Sequence, residues 1–189
     1  MKILVLDNYD SFTYNLVHII RRLGHIDQTA VYRNDKISLD DVAAYDKILL
    51  SPGPGVPKDA GIMPALLQQY SPSKSILGVC LGHQAIGEAF GGSIFNMSEV
   101  LHGVATNVQL DTSDVLFYGL RENVTVCRYH SWAIDRASLP TGIKVTAEDD
   151  AGQVMAIAHE QYDVRGVQFH PESILTEHGE EMINNWLKG

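Results

Sequence analysis

The pentapeptide Gly78-Val79-Cys80-Leu81-Gly82 joins the apolar run Ser75–Val79 to a helical pattern over Leu81–Phe90. A nucleophile between two glycines, at the turn from a strand into a helix, is typical of a nucleophile elbow, here with cysteine in place of serine. The turn projects the sulfur, the glycines leave room for neighbouring backbone, and the helix N-terminus favours the thiolate. We therefore expect Cys80 to be reactive. Cys127 is interpreted instead as a small buried hydrophobe.

Outward from the elbow, strand and helix patterns alternate, which predicts a parallel sheet with crossover helices. Ser11 is expected to cap a helix whose apolar face begins at Phe12, and Gly24 to close it. From Ser93 to Phe169 the segments become shorter and richer in β-structure, with a hairpin turn at 149–152. We predict a single α/β domain over residues 1–189, a flavodoxin-like open, mostly parallel sheet with flanking helices and a smaller β-rich portion. The expected elements include strands at Lys2–Leu6, Gln28–Tyr32, Asp46–Leu50, Ser75–Val79 and Val164–Phe169, and helices at Ile62–Tyr70, Leu81–Phe90 and Glu177–Lys188.

The bulk composition excludes several classes of protein. With 189 residues, 45% hydrophobic and 20% charged, the chain has the composition of a soluble globular protein. The net charge of −9 argues against a nucleic-acid partner, and no apolar run reaches the length of a membrane span. The first residues are interpreted as a strand rather than a signal peptide. Two cysteines do not form a disulfide framework, so we expect a reducing, cytoplasmic location with a free thiol.

A second motif, His170-Pro171-Glu172, follows the expected strand Val164–Phe169. Because successive strand residues alternate sides, positions 170 and 172 are expected to face the same way, so that Glu172 can hold the imidazole of His170 in one tautomer. A lone histidine is more often structural. Together with the elbow, however, the motif supplies a nucleophile, a base and an orienting group, the minimum equipment for acyl transfer through a thioester.

The loop Ser51-Pro52-Gly53-Pro54-Gly55 also follows a strand. It lacks the lysine and hydroxyl residue of a P-loop, so nucleotide binding is weakly supported. Its residues fit two interpretations equally well, a rigid turn and a backbone N–H donor for an oxyanion at Gly53; the N–H of Leu81 is the other candidate donor. We reject a metal site, because Cys127 and His130 would lie on opposite faces of a strand and no second cluster completes a site.

Taken together, the 51–55 loop, the elbow with Gln84 and the His-Pro-Glu motif resemble the class I (triad) glutamine amidotransferases over the whole chain. The resemblance implies that Cys80 attacks the side-chain amide of L-glutamine, that His170 activates the thiol and protonates the leaving nitrogen, and that Glu172 orients His170. It implies an oxyanion hole at the N–H groups of Gly53 and Leu81. The remaining residues that it assigns to glutamine binding are Pro54, Gly55, Gln84, Ser131 and Trp132.

Two further segments, Asp7–Leu16 and Ser173–Gly179, are similar to the chorismate-using branch, which holds the small subunits of anthranilate synthase and aminodeoxychorismate synthase. This implies a chorismate-binding synthase partner in a heterodimer or heterotetramer, with no cofactor in this chain and Mg²⁺ in the partner. Three options stay open, which are tryptophan synthesis, folate synthesis and a role shared by both. The glutaminase subunit of GMP synthase is similar in the triad but usually begins differently. Val104 follows His102-Gly103 where many relatives have lysine, near the partner interface of the family.

Two alternatives come from other functional classes. A non-catalytic subunit that only binds a synthase is disfavoured by the intact Cys80, His170 and Glu172. A thiol hydrolase or redox sensor on a similar scaffold would share the cysteine elbow, but the His-Pro-Glu motif and the 51–55 loop are not expected together in such a protein.

Overall fold

The computed structural model describes residues 1–189 as nine strands and five α-helices, joined by loops and short 3-10 turns. The expected strand Ser75–Val79 and the start of the following helix at Leu81 are confirmed to the residue, and the other expected boundaries that were named fall within two residues. In chain order the elements are β1 Ile3–Asp7, α1 Thr13–Arg22, β2 Thr29–Arg33, α2 Leu39–Val42, β3 Lys47–Leu50, α3 Met63–Tyr70, β4 Ser75–Val79, α4 Leu81–Ala89, β5 Ile94–Leu110, β6 Asn123–Ile134, β7 Ile143–Asp149, β8 Val154–His159, β9 Val164–Val167 and α5 Gly179–Lys188.

All nine strands form one sheet in the order β2-β1-β3-β4-β9-β8-β7-β5-β6. The five strands from β2 to β9 run parallel, and the pairings from β9 to β6 are antiparallel. The α/β class is confirmed, and the β-rich segment continues the same sheet, so that antiparallel pairings make up half of it. The longest of the antiparallel pairings joins β5, which has 17 residues, to β6, which has 12.

Side chains of the parallel strands alternate between two hydrophobic cores, one on each face of the sheet. Ile3 and Val5 of β1 pack with residues of α1 and α5, whereas Leu4 and Leu6 pack with residues of α3 and α4. Each of these four side chains is fully buried, and such burial contributes about 1.5–3 kcal/mol per residue. The two cores hold the carboxyl ends of the parallel strands in place, and ligands of such sheets bind beyond those ends. No helix is long and apolar enough to span a membrane.

The start of α1 differs from the sequence prediction. Ser11 is exposed and caps nothing; the helix begins at Thr13 with no side-chain cap. Instead, a carboxylate oxygen of Asp10 accepts the N–H of Phe12 at 2.8 Å, and Asp7 accepts the Thr13 hydroxyl at 3.0 Å. Neither aspartate caps the helix, because Asp10 bonds a residue that precedes it and Asp7 bonds a side-chain hydroxyl; the N–H of Thr13 donates to the main-chain oxygen of Asp10 at 3.3 Å. Phe12 lies just before the helix and belongs to neither hydrophobic core.

The last helix begins at Gly179 rather than at Glu177. The Glu177 carboxylate accepts the N–H of Thr125 in β6 at 2.7 Å and also binds Arg121, which holds that residue outside the helix. Gly179 lies so close to the carbonyl oxygen of Pro171 that any Cβ at this position would overlap it. This close approach fixes the chain between Pro171 and α5 and so limits where residues 170–172 can lie.

Candidate active site

The elbow at Cys80 has the predicted geometry. Cys80 lies between β4 and α4 with φ +51° and ψ −98°, a conformation that costs a non-glycine residue about 1–3 kcal/mol. A Cβ at Gly78 would lie 2.5 Å from the carbonyl oxygen of Gly82, and one at Gly82 would lie 2.6 Å from the oxygen of Leu50. Both glycines are therefore needed for the close packing of the turn, and the strained backbone is held by the elements around it.

His170 and Glu172 form a buried pair, with Nδ1 of His170 2.6 Å from Oε1 of Glu172 and side chains 3% and 1% exposed. The two residues face each other as expected, but the stated reason was wrong, because β9 ends at Val167 and residues 170–172 lie in a turn. The turn is attached to β6 instead: the N–H of His170 donates to the oxygen of Cys127 at 3.0 Å. Long-range bonds, rather than strand alternation, orient the pair.

The environment of His170 favours the imidazolium. Burial alone would lower the pKa of His170, but interaction with the Cys80 thiol and the Glu172 carboxylate outweighs burial and raises the pKa to about 10. The other ring nitrogen, Nε2, is buried and has no partner in good hydrogen-bond geometry. Contacts between a nucleophile and its base are often loose before substrate binds. A proton on Nε2 is thus available to a group that enters beside Cys80.

Two aromatic side chains surround the imidazole. Phe12 and Tyr129 pack edge-on against His170, with ring centroids 6.0 and 5.3 Å away. The Cys80 sulfur lies 3.8 Å from the main-chain oxygen of Tyr129. Together with Glu172, these aromatic rings line a cavity of about 300 Å³. Phe12 was expected on the apolar face of α1, and its place in this wall could not be found from helical spacing.

The 51–55 loop lies beside the elbow. Asn8 fixes its start, because the N–H of Asn8 donates to the Ser51 hydroxyl and its side-chain amide donates to the Ser51 oxygen, both at 2.8 Å. A Cβ at Gly53 would lie 2.6 Å from the Asn8 Cβ and 2.8 Å from a methyl carbon of Leu81. The N–H groups of Gly53 and Leu81 make no hydrogen bond within the chain. The two residues expected to supply the oxyanion donors are therefore close neighbours.

Only some of the residues expected to bind glutamine lie together. Gln84 is buried, and its amide donates to the main-chain oxygen of Trp132 at 2.9 Å, so these two lie together. Ser131, half-buried on β6, makes no side-chain hydrogen bond. Pro54 and Gly55 are exposed; Pro54 lines a different cavity of about 380 Å³, and Gly55 has a φ of +76°. Asn8 and Leu81, the neighbours of Gly53, also line that cavity.

One residue of the site was missed. The amide nitrogen of Gln168 lies 3.6 Å from the Cys80 sulfur, and its oxygen accepts from Gln84 at 3.2 Å. The available signal was a lone amide within the expected strand Val164–Phe169. No group of three or more His, Cys, Asp or Glu side chains is placed to hold a metal ion, and Cys127 is fully buried in the core.

The sequence matches the family described as "Glutamine amidotransferase class-I" over residues 4–189. The chain is 46% identical over 187 residues to aminodeoxychorismate synthase component 2 of Klebsiella aerogenes, covering 98% of both chains. It is 46% identical over 192 residues to anthranilate synthase component 2 of Mycobacterium tuberculosis, covering 99% of this chain and 82% of the relative. It is 40% identical to the aminodeoxychorismate/anthranilate synthase component 2 of Bacillus subtilis, with 98% and 95% covered. The chain belongs to the class-I glutamine amidotransferases.

Two further comparisons agree with this assignment. The chain is 42% identical to the bifunctional protein TrpGD of Thermotoga maritima and spans only 32% of that protein's length. Among solved structures, it is similar to a Thermoplasma acidophilum protein proposed to be one of the subunits of GMP synthase, with a TM-score of 0.88 and 28% identity over 100% of this chain and 92% of the other.

Proposed function

We propose that this chain is the glutaminase component of a synthase that aminates chorismate to anthranilate. The observation that carries the proposal is the buried His170–Glu172 pair, with a contact of 2.6 Å, placed beside the strained cysteine elbow of a class-I glutamine amidotransferase. The same triad argues against a subunit that binds its partner without catalysis. Both cysteines are free, and the reaction needs a free thiol at Cys80, which a reducing compartment such as the cytoplasm maintains.

In the proposed mechanism, the Cys80 thiolate attacks the carboxamide carbon of glutamine. A C–S bond forms, and the negative charge that develops on the amide oxygen is stabilised by the N–H groups of Gly53 and Leu81. The His170 imidazolium gives its proton to the leaving nitrogen, the C–N bond breaks, and ammonia departs from a γ-glutamyl thioester. Glu172 keeps the Nδ1–H of His170 in place throughout.

Hydrolysis completes the cycle. His170, now neutral, takes a proton from a water molecule as that water attacks the thioester carbonyl carbon. The tetrahedral intermediate collapses with loss of the Cys80 thiolate, and the product leaves as the γ-carboxylic acid, which becomes glutamate by releasing a proton to solvent. The imidazolium–thiolate pair that started the reaction is restored, so each turnover consumes one glutamine and one water and releases glutamate and ammonia.

A partner follows from the fate of the ammonia. Ammonia is mostly protonated at neutral pH, and the ammonium ion is not a nucleophile, so the product must pass directly to an acceptor site. We propose that this site lies in a chorismate-binding synthase subunit that uses Mg²⁺. The names of the Mycobacterium tuberculosis and Bacillus subtilis relatives support this kind of partner. Val104 follows His102-Gly103 and is 40% exposed. We expect that, because of this residue, coupling to the partner differs from that in other members of the family.

A second candidate function is the glutaminase component of aminodeoxychorismate synthase. The Klebsiella aerogenes relative carries that name at 46% identity, and the Bacillus subtilis relative carries both names. A subunit shared between the tryptophan and folate pathways fits the same residues, because chorismate would be recognised by the partner. The likeness to the Thermoplasma acidophilum protein makes a GMP synthase glutaminase the third candidate.

The test adds this chain separately to the large subunits of anthranilate synthase and aminodeoxychorismate synthase, with chorismate, Mg²⁺ and glutamine. Fluorescence follows anthranilate, and a coupled lyase follows aminodeoxychorismate. We expect anthranilate with the first partner. Cys80→Ser should abolish the glutamine-dependent reaction and leave the reaction with added ammonium salt. Product from neither partner, with wild-type Cys80 still labelled by a glutamine-analogue electrophile, would contradict the chorismate assignment.

A further inference from the structure

The buried amide of Gln168 connects the nucleophile to Gln84. The Gln168 side chain is 0% exposed, its Nε2 lies 3.6 Å from the Cys80 sulfur, and its Oε1 lies 3.2 Å from Nε2 of Gln84. The mechanism above gives this residue no role. An N–H group directed at a sulfur favours the thiolate over the thiol, because it stabilises the anion with a hydrogen bond to the charged form.

The orientation of the Gln168 amide follows from a group that can only accept. The main-chain oxygen of Trp132 lies 2.9 Å from the Gln84 amide, so Gln84 must direct its NH₂ group towards it. The same NH₂ group faces Gln168, which must therefore present its oxygen. The NH₂ group of Gln168 is then left to face Cys80. A flipped Gln168 would set two NH₂ groups against each other and turn an oxygen towards the sulfur.

The Trp132 oxygen is itself held from the opposite side. Arg128 can only donate, and its Nε lies 3.0 Å from Nε2 of His130, which must therefore accept. The proton of His130 is then on Nδ1, from which it donates to the Trp132 oxygen at 2.8 Å. Burial and the charge of Arg128 lower the pKa of His130 to about 4, which keeps the ring neutral, as this arrangement requires. Arg128 is fixed by a buried ion pair with Asp149, the last residue of β7.

We propose that Gln168 is the positioning residue of Cys80: it holds the sulfur in the elbow and stabilises its thiolate, and its orientation is set by a series of hydrogen bonds in which the Trp132 oxygen accepts from His130 on one side and from Gln84 on the other. Each group in the series has one permitted orientation, so the donor that faces the sulfur is set before glutamine binds. The inference rests on the proposed role of Cys80 as nucleophile, but it concerns the protonation of the free thiol and can be measured without glutamine.

The test is the rate at which iodoacetamide alkylates Cys80 as a function of pH, measured on the full chain by mass spectrometry of the Cys80 peptide. Gln168→Met keeps the side-chain volume and removes the donor. We expect the midpoint of the pH profile to move to higher pH and the rate below the midpoint to fall about tenfold, the usual effect of one hydrogen bond to a charged group. Gln109→Met, on the exposed side of β5, is the matched control and should keep the wild-type profile.

A folded Gln168→Met variant with an unchanged midpoint would overturn the proposal, even if its alkylation were slower at every pH. A purely structural role changes the access of iodoacetamide to the sulfur, not the protonation of the thiol. If that variant does not fold, Gln168→Asn keeps an amide that is too short to reach both neighbours and must show the same upward shift; a wild-type profile there overturns the proposal. Glutamine hydrolysis that survives in Cys80→Ser would refute the proposed function and leave this measurement standing.

Discussion

The hydroxyl of Thr176 donates a hydrogen bond of 2.6 Å to the main-chain oxygen of His170. The same hydroxyl accepts the N–H of Cys127 in β6 at 3.0 Å, and the N–H of His170 donates to the oxygen of Cys127. Two of these hydrogen bonds attach the turn of the proposed base to the antiparallel half of the sheet, and the third connects Thr176 to His170 within that segment. The position of His170 depends on β6 as much as on the strand that precedes it.

Thr176→Val tests this attachment, because valine has the shape of threonine without its hydroxyl. The change leaves the N–H of Cys127 without a partner in a buried site, and we expect the free energy of unfolding to fall by about 1–3 kcal/mol. Thr176→Ser keeps the hydroxyl and should lose much less. Urea denaturation followed by circular dichroism measures both variants, and equal losses in the two would show that the methyl group, not the hydroxyl, matters.

Glu172→Gln tests the pair at the centre of the site. The pKa of His170 is raised from 6.5 to about 10 because, despite burial, Cys80 and Glu172 favour the imidazolium. The native state therefore binds a proton that the unfolded chain releases above pH 6.5, so this stabilisation is complete below pH 6.5 and is lost as the pH rises towards 10. We expect the free energy of unfolding to fall over this interval, and to fall less steeply in Glu172→Gln.

The control for that variant is Glu122→Gln, at an exposed position just before β6 and without a salt-bridge partner. It should keep the wild-type pH dependence. Unfolding by urea at half-unit steps of pH provides the measurement. If the free energy of unfolding changes with pH in the same way in wild type and Glu172→Gln, Glu172 does not hold the His170 proton.

His83→Leu tests a buried imidazole on the other side of the elbow. His83 is 0% exposed on α4, neither ring nitrogen has a hydrogen-bond partner, and burial lowers its pKa to about 3. The unfolded chain binds a proton at this residue below pH 6.5 and the native state does not, so stability is lost as the pH falls from 6.5 towards 3. Leucine is apolar and does not titrate.

We therefore expect His83→Leu to stay within about 1.5 kcal/mol of wild type at pH 8 and to lose less stability on acidification. His18→Leu, at an exposed position of α1, should keep the wild-type acid sensitivity. The free energy of unfolding at pH 8, 6 and 4.5 decides the matter. If His83→Leu loses as much stability on acidification as wild type does, the loss of stability at low pH comes from groups other than His83.

The sequence predicted those parts of the site that depend on short stretches of chain. The strand before Cys80, the turn and the start of α4 follow from a local pattern of apolar residues and glycines. Ser11 is exposed and does not cap α1, whose first residue donates its N–H to the main-chain oxygen of Asp10 instead. His170 and Glu172 were paired correctly for a wrong reason, since the contact forms in a turn that β6 holds.

The contacts of Gln168 show the limit of such prediction. Its partners Gln84 and Cys80 are 84 and 88 residues away in the chain, and they meet it only because β4 and β9 are neighbours in the sheet. Strand order is set by the packing of helices on both faces, which no local pattern encodes. Phe12 packs against His170 for a similar reason, and Asp10 binds its N–H just before α1 begins.

Gly82→Ala tests whether the close packing of the elbow is needed. Alanine favours a helix over glycine by about 1 kcal/mol, which on its own would stabilise α4. A Cβ at this position, however, would lie 2.6 Å from the oxygen and 2.7 Å from the Cβ of Leu50. Leu50 cannot move aside, because β3 is paired with β1 on one side and β4 on the other. The start of α4 must shift instead, and the N–H of Leu81 shifts with it.

We expect the clash to outweigh the helix propensity, with a net loss of about 1–3 kcal/mol in the free energy of unfolding. Glutamine hydrolysis should fall further than stability suggests, by about 10²-fold, because an oxyanion donor displaced by about 1 Å no longer meets the charge that develops. Glu88→Ala, at an exposed position of the same helix, controls for helix propensity and should keep wild-type hydrolysis. A Gly82→Ala enzyme with wild-type turnover would show that α4 can move without displacing the site.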